Sequence, residues 1–232
     1  MKPDRRSFSS YELAKRVIDV GLAFAAIVVS APIMIVVMVI IRMDSSGPSL
    51  YRGLRIGLHG KPFYILKFRT MSVDAEQRGG SCTSDDDSRI TRAGAFLRKS
   101  KLDELPQLFN VLFGTMSLVG PRPEVKQFTD LFTAEERAIL DVKPGITDWA
   151  TIWDSDEGAL LLGAADPEQA YMERIRPMKL RLQLEYVRKR SLWVDFTILF
   201  HTVSLVTCRL LRRQVGPTAQ TRPFATHKET GD

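Results

Sequence analysis

The sequence predicts a mainly helical α/β membrane protein with one small β-hairpin, monotopic in the sense that it enters the bilayer from one side and returns. Three observations carry this reading. Val20 to Ile41 is a charge-free apolar run of 22 residues with Ser30 and Pro32 near its middle. Leu50 to Arg55 and Phe63 to Arg69 are short strand-like segments joined through Gly57, His59, Gly60, Lys61 and Pro62. From Leu192 to Leu210 apolar residues recur at helical spacing, and the stretch is followed by Arg212 and Arg213.

The 22-residue run would form a helix of roughly 33 Å at about 1.5 Å per residue, just enough to reach across a bilayer. It is too long for a cleaved signal peptide, and no small-residue cleavage site follows Ile41. Two arrangements are open, a single spanning helix and a re-entrant helix–break–helix. Pro32 lacks an N–H and crowds the carbonyl four residues back, while the Ser30 hydroxyl can serve a freed carbonyl, so a bend is expected there. Basic residues stand on both flanks, Lys2, Arg5, Arg6, Lys15 and Arg16 before and Arg42, Arg52 and Arg55 after. A spanning helix should show asymmetry, so the re-entrant form is favoured. Asp19 reads as a helix-start or interfacial residue.

In the hairpin, Lys67 and Arg69 alternate with Phe68 and so share one face, where they either grip an anion or are solvated. Asp85, Asp86 and Asp87 form a polar loop without the glycine and terminal glutamate of a calcium site. Ala93 to Lys101 reads as a basic helix, and a further helix through Leu108, Val111 and Leu112 should begin near Asp103 and Glu104, with Pro106 in its first turn. The segment from Leu192 is either an amphipathic helix at an interface or a helix packed on the protein's own core. The polar tail after Gly216 has too few apolar residues to order itself.

The chain has 232 residues, enough for a substantial core, and a formal charge of +6. That balance suits nucleic acid, anionic lipid or a phosphorylated small molecule, and does not choose among them. Cys82 and Cys208 form no paired motif, so a reducing compartment is expected and a zinc cluster is not. His59, His201 and His227 lack metal-ligand spacing.

The candidate site is the acidic pair Asp103-Glu104. A carboxylate at a helix N-terminus meets free N–H groups and partial positive charge, so Asp103 should be ionised. Arg98 lies five positions earlier, and Arg122 sits between Pro121 and Pro123, whose fixed φ can hold its guanidinium in place. A nucleophilic carboxylate needs phosphoryl charge neutralised before it can approach, and a bidentate arginine does this. No Ser-His-Asp or Cys-His set competes.

Several blocks then occur in order: Gly60-Lys61-Pro62-Phe63, Lys67-Phe68-Arg69-Thr70-Met71, Leu102-Asp103-Glu104-Leu105-Pro106-Gln107-Leu108, Asn110-Val111-Leu112, Met116 through Glu124, and Pro144-Gly145-Ile146-Thr147. With these, the chain resembles the bacterial sugar transferase family, the small monotopic phosphoglycosyl transferases, from about Lys15 to about Arg209. The resemblance implies an enzyme that moves a sugar 1-phosphate from a UDP-sugar to undecaprenyl phosphate, releases UMP and starts surface glycan (exopolysaccharide or lipopolysaccharide) assembly. It implies that Asp103 is the nucleophile and forms a covalent phosphosugar intermediate. Glu104 would assist, Mg²⁺ would bind at Asp103 and Glu104, and Arg98 and Arg122 would contact phosphate, with Lys67 and Arg69 as further phosphate-binding candidates from their shared strand face. The implied location is the cytoplasmic face of a bacterial inner membrane, in contact with its lipids. Nucleic acid is not a partner, and a homodimer is left open. The expected regions are a re-entrant membrane region over 1–42, a cytoplasmic catalytic domain over 43–190, an interfacial helix over 191–213 and a disordered tail over 214–232.

The chain departs from the family pattern at Arg52, where Gln is common, and after Pro144-Gly145-Ile146-Thr147. There it continues Asp148-Trp149-Ala150-Thr151-Ile152-Trp153 and stays acidic to Gly158. Thr147, Asp148, Trp149 and Trp153 are therefore candidates for reading the donor sugar or nucleotide, since carboxylates accept from hydroxyls and tryptophan faces stack on rings. A solvated surface loop is the alternative. Two rivals from other classes remain, a membrane-anchored binding protein and a metal-dependent lipid phosphohydrolase.

Overall fold

A computed structural model describes residues 5–80, 82–154 and 157–212. The tail expected over 214–232 lies outside the described residues, as do Ser155 and Asp156 of the acidic segment. The first helix, α1 (Arg5–Asp44), contains Pro32 and stays helical through it. The expected helix–break–helix is corrected to one helix of 40 residues, because a missing N–H removes a single rung while neighbouring turns keep theirs. The Ser30 hydroxyl donates to the Ala26 carbonyl at 2.6 Å, and not to the Val28 carbonyl that lies four residues before Pro32.

Along α1 a stripe of Ala23, Met34, Val37 and Ile41 is buried, with Ile27, Ala31 and Met38 packed beside it. The other faces expose Phe24, Val28, Val29, Ile33, Val36 and Ile40. Both ends are fastened to the rest of the chain. The Arg16 guanidinium donates to the Val111 and Leu112 carbonyls at 2.6 and 2.9 Å. Asp19 is buried, accepting from the Ser117 hydroxyl at 2.7 Å and the Leu118 N–H at 3.2 Å, so it ties helix to core and is not interfacial. At the far end Asp44 accepts from the Ala93 N–H at 3.1 Å.

Strands β1 (Leu50–Ile56) and β2 (Pro62–Phe68) form the expected antiparallel hairpin, in register from Leu50 opposite Phe68 to Ile56 opposite Pro62. His59 and Gly60, at φ 56° and 72°, turn the chain between them. Helix α2 (Arg92–Ser100) is capped by Thr91, whose hydroxyl accepts from the Gly94 N–H at 3.0 Å. A Cβ on Gly94 would lie 1.9 Å from the Thr70 carbonyl oxygen, so only glycine lets this helix meet the chain leaving β2. Lys101 ends α2 in a left-handed conformation, and a single 3₁₀ turn (Leu102–Glu104) leads to α3 (Gln107–Phe113), with Pro106 at its N-cap. The acidic pair therefore lies one turn ahead of α3 rather than in it.

A second, parallel pair joins β3 (Ser117–Val119) to β4 (Gly145–Thr147). Short helical turns and α4 (Trp149–Trp153) follow, and a π-helical segment (Tyr171–Ile175) runs into α5 (Arg176–Lys189). The last helix is α6 (Leu192–Arg212). Ala23, Ile65, Val111, Met116, Val119, Tyr186 and Ile198 make one core that α1, the hairpin, α3, β3, α5 and α6 share. Buried Asp195 of α6 accepts from Tyr11 and Lys15 of α1, each at 2.9 Å, and from Tyr186 at 2.8 Å. One face of α6 packs on the core, with Ile198 fully buried, while Trp193, Phe196, Phe200 and Val203 are exposed. Cys82 is buried, Cys208 is exposed, and neither forms a disulfide.

Candidate active site

The left-handed residue at the end of α2 reverses the chain and carries Asp103 and Glu104 to the wall of a cavity of about 1070 Å³. Residues of the hairpin, the α2 end, the Pro-Arg-Pro segment and the start of α5 complete the wall. Ten Lys and Arg side chains line it against four Asp and Glu, so much of the chain's positive charge is gathered here and the space favours anions.

Within that wall Glu104 takes the direct ion pairs. Lys67 donates to its Oε1 at 3.1 Å, and Arg122 grips both of its oxygens, with Nη1 at 3.2 Å from Oε2 and Nη2 on Oε1. Burial alone would raise the Glu104 carboxyl, but Arg122 and Lys67 hold it well below the ordinary carboxylate range. Burial likewise lowers the Lys67 ammonium, with Glu104 opposing. Asp103 differs. It is 7 % exposed, and its Oδ1 is fully buried without a hydrogen-bond partner. Burial pushes its carboxyl up and Glu104 adds to the push, while Lys67, Lys101 and Arg98 pull the other way. Of the two carboxyls Glu104 is the more acidic and Asp103 the more basic. A basic, poorly solvated carboxylate with an unpartnered oxygen is suited to attack.

The structure brings Asp103, Glu104, Lys67, Arg98 and Arg122 together at this cavity. Arg98 also donates to the Thr83 carbonyl at 3.4 Å. Arg69, expected to grip an anion beside Lys67, also lines the cavity, but it follows the end of β2 and its guanidinium donates to the Ser45 and Ser46 carbonyls at 2.8 and 2.6 Å, latching the end of α1. The four donor-reading candidates are not part of the cavity wall. Thr147 is buried, with its hydroxyl 2.7 Å from that of Thr202. Asp148 is fully buried at the N-cap of α4, accepting from the Thr151 N–H and hydroxyl, the Arg122 N–H at 3.2 Å and Gln183 at 3.1 Å. Trp149 meets His201 edge-on at 5.8 Å, and Trp153 packs beside Phe128, Leu161 and Tyr171.

Sequence reasoning missed one group on the wall. Lys179 pairs with Glu124 at 2.6 Å, Tyr171 donates to Glu124 at 2.7 Å, and Lys179 donates to the Tyr171 hydroxyl at 3.0 Å. Burial would raise the Glu124 carboxyl, but Lys179 and Tyr171 hold it below its usual value. The separation of Glu124 from Tyr171 and Lys179 in sequence leaves no local signal, although Glu124 directly follows Pro-Arg-Pro. Arg52, the other departure from the family pattern, also lies on the wall.

By donor type Asp103 and Glu104 are carboxylates of the kind a magnesium ion takes, although both Glu104 oxygens are engaged by Arg122 and Lys67. Asp103 offers an orphaned buried oxygen and Glu104 a second carboxylate, and among the described residues no cluster of three or more His, Cys, Asp or Glu exists. Two carboxylates match an ion that takes its other ligands from water and substrate phosphates.

Residues 10–209 match the family model described as bacterial sugar transferase. The chain is 37 % identical over 199 residues to a UDP-N-acetylgalactosamine-undecaprenyl-phosphate N-acetylgalactosaminephosphotransferase of Aeromonas hydrophila, covering 84 % of this chain and 44 % of that protein. It is 39 % identical over 199 residues to a UDP-glucose:undecaprenyl-phosphate glucose-1-phosphate transferase of Xanthomonas campestris pv. campestris, covering 83 % of this chain and 38 % of that protein. A Caulobacter vibrioides protein of the latter name is 38 % identical over 200 residues, 84 % of this chain and 71 % of its own length. The chain thus spans less than half the length of the first two relatives. With a model match over most of its length and the Asp103-Glu104 pair set among Lys67, Arg98 and Arg122, the chain belongs to the bacterial sugar transferase family.

Proposed function

We propose that this protein is a phosphoglycosyl transferase that moves a sugar 1-phosphate from a UDP-sugar to undecaprenyl phosphate with release of UMP. The observation that carries the reading is the buried, unpartnered Asp103 oxygen on the wall of a strongly cationic cavity. Asp103 attacks the β-phosphorus of the donor; the bond from that phosphorus to the bridging oxygen breaks, and UMP leaves with the electron pair. An oxygen of undecaprenyl phosphate then attacks the same phosphorus, and the Asp103 carboxylate departs, yielding undecaprenyl diphosphate-sugar. Arg122 and Lys67, held beside Glu104, neutralise phosphate charge in both steps. Mg²⁺ held by Asp103 and Glu104 would supply further charge neutralisation for the diphosphate. The product would start assembly of a surface glycan.

The proposed setting is the cytoplasmic face of a bacterial inner membrane, with the continuous helix α1 lying in one leaflet. Support comes from α1 being fastened to the same body at Arg16 and Asp19 and again at Asp44, while its outer faces stay apolar. A helix crossing the bilayer would have to leave the polar body behind, whereas one lying in a single leaflet need not. The exposed Trp193, Phe196 and Phe200 of α6 suit the same interface.

Incubating the purified protein with Mg²⁺, undecaprenyl phosphate and a panel of UDP-sugars should release UMP with one or a few donors. Inorganic phosphate in place of UMP would favour a phosphohydrolase, and binding without turnover would favour a scaffold. Replacing Arg122 with Ala should lower UMP release by roughly 10²-fold with the fold retained; unchanged kinetics would remove Arg122 from the site.

A further inference from the structure

Lys101 ends α2 at φ 58° and ψ 14°, a left-handed conformation that glycine adopts freely and other side chains resist. The neighbouring helix α3 ends in the usual way, with Gly114 at φ 86°. The capping at Lys101 is done by its backbone N–H, which bonds the Arg98 and Leu97 carbonyls, so any residue could provide it. The side chain must therefore be explained by something other than the turn. It lines the cavity, its charge acts on both Asp103 and Glu104, and among the described residues no carboxylate forms an ion pair with its ammonium. Lys67 and Arg122, by contrast, are engaged by Glu104. A cation that is not already neutralised, next to an attacking carboxylate, sits where incoming phosphoryl charge must be met. Strain kept at such a position is the pattern of a side chain retained for function.

We propose that Lys101 is a further catalytic residue, whose ammonium receives the non-bridging oxygens of the transferring phosphoryl group as it bonds to Asp103 and as it leaves. The inference rests on the transferase reading given above. Lys101 neither gains nor loses a proton; the bond made is Asp103 to phosphorus, and the bond broken is phosphorus to UMP or, in the second step, to Asp103.

The test measures UMP release and thermal unfolding for the wild type, Lys101→Gly and Lys101→Arg, with Mg²⁺, undecaprenyl phosphate and the UDP-sugar panel. Lys101→Gly relieves the left-handed strain and should unfold roughly 2–4 °C higher. At saturating donor it should release UMP about 100-fold more slowly, with KM changed far less. Lys101→Arg should recover most of the rate without the gain in stability. A Lys101→Gly protein that keeps the wild-type rate, or that loses stability together with rate, overturns the proposal. A wild type that releases no UMP with any donor overturns the transferase reading itself, and this inference with it.

Discussion

Replacing Asp103 with Asn should abolish turnover, lowering UMP release by roughly 10³-fold or more, because it removes the nucleophile and not merely a contact. Asn is nearly isosteric, so the 3₁₀ turn from Leu102 to Glu104 should persist and the cavity wall should keep its shape. The Glu104 pairs with Lys67 and Arg122 do not involve Asp103, and they should survive as well. Thermal unfolding close to that of the wild type, alongside lost activity, is the expected pattern. Full turnover by Asp103→Asn would end the assignment of this residue, whatever the fate of the fold.

Asp148→Ala should fail for a different reason. Asp148 is fully buried and accepts from the N–H and hydroxyl of Thr151, the N–H of Arg122 and the amide of Gln183. Truncation leaves these donors buried and unserved, at a cost of roughly 3 kcal/mol or more, and should lower the unfolding temperature by about 6–12 °C. Activity should fall too, since the backbone of Arg122 loses its anchor. A role in reading the sugar predicts the opposite: unchanged stability with a shifted preference across a UDP-sugar panel.

The contrast between these two aspartates shows what the chain's pattern made legible. Asp103, Glu104, Arg98 and Arg122 were recognisable because an acidic pair close to arginines already implies chemistry, and the fold closes that group around one cavity. Lys67 and Arg69 looked equivalent by alternation and both line the cavity, yet β2 ends at Phe68, and Arg69 donates to the Ser45 and Ser46 carbonyls where Lys67 donates to Glu104. Asp148 reads equally well as a hydrogen-bond acceptor for a sugar or as an N-cap for the helix that starts at Trp149; the four donors packed around it make it the cap. The hairpin followed from its turn residues and was placed to within a residue. Pro32 was overread, since helix geometry on either side and the core stripe of Met34, Val37 and Ile41 outweigh one lost rung. Glu124, Tyr171 and Lys179 meet only through tertiary packing, so nothing local announced them.

Mass spectrometry of the protein after a brief incubation with UDP-sugar and Mg²⁺, without undecaprenyl phosphate, tests the central claim most directly. The account predicts one phosphosugar adduct on the peptide containing Asp103, formed with one equivalent of UMP and discharged when undecaprenyl phosphate is added. An adduct on another side chain, or UMP that appears only when both substrates are present and leaves no adduct, would contradict it.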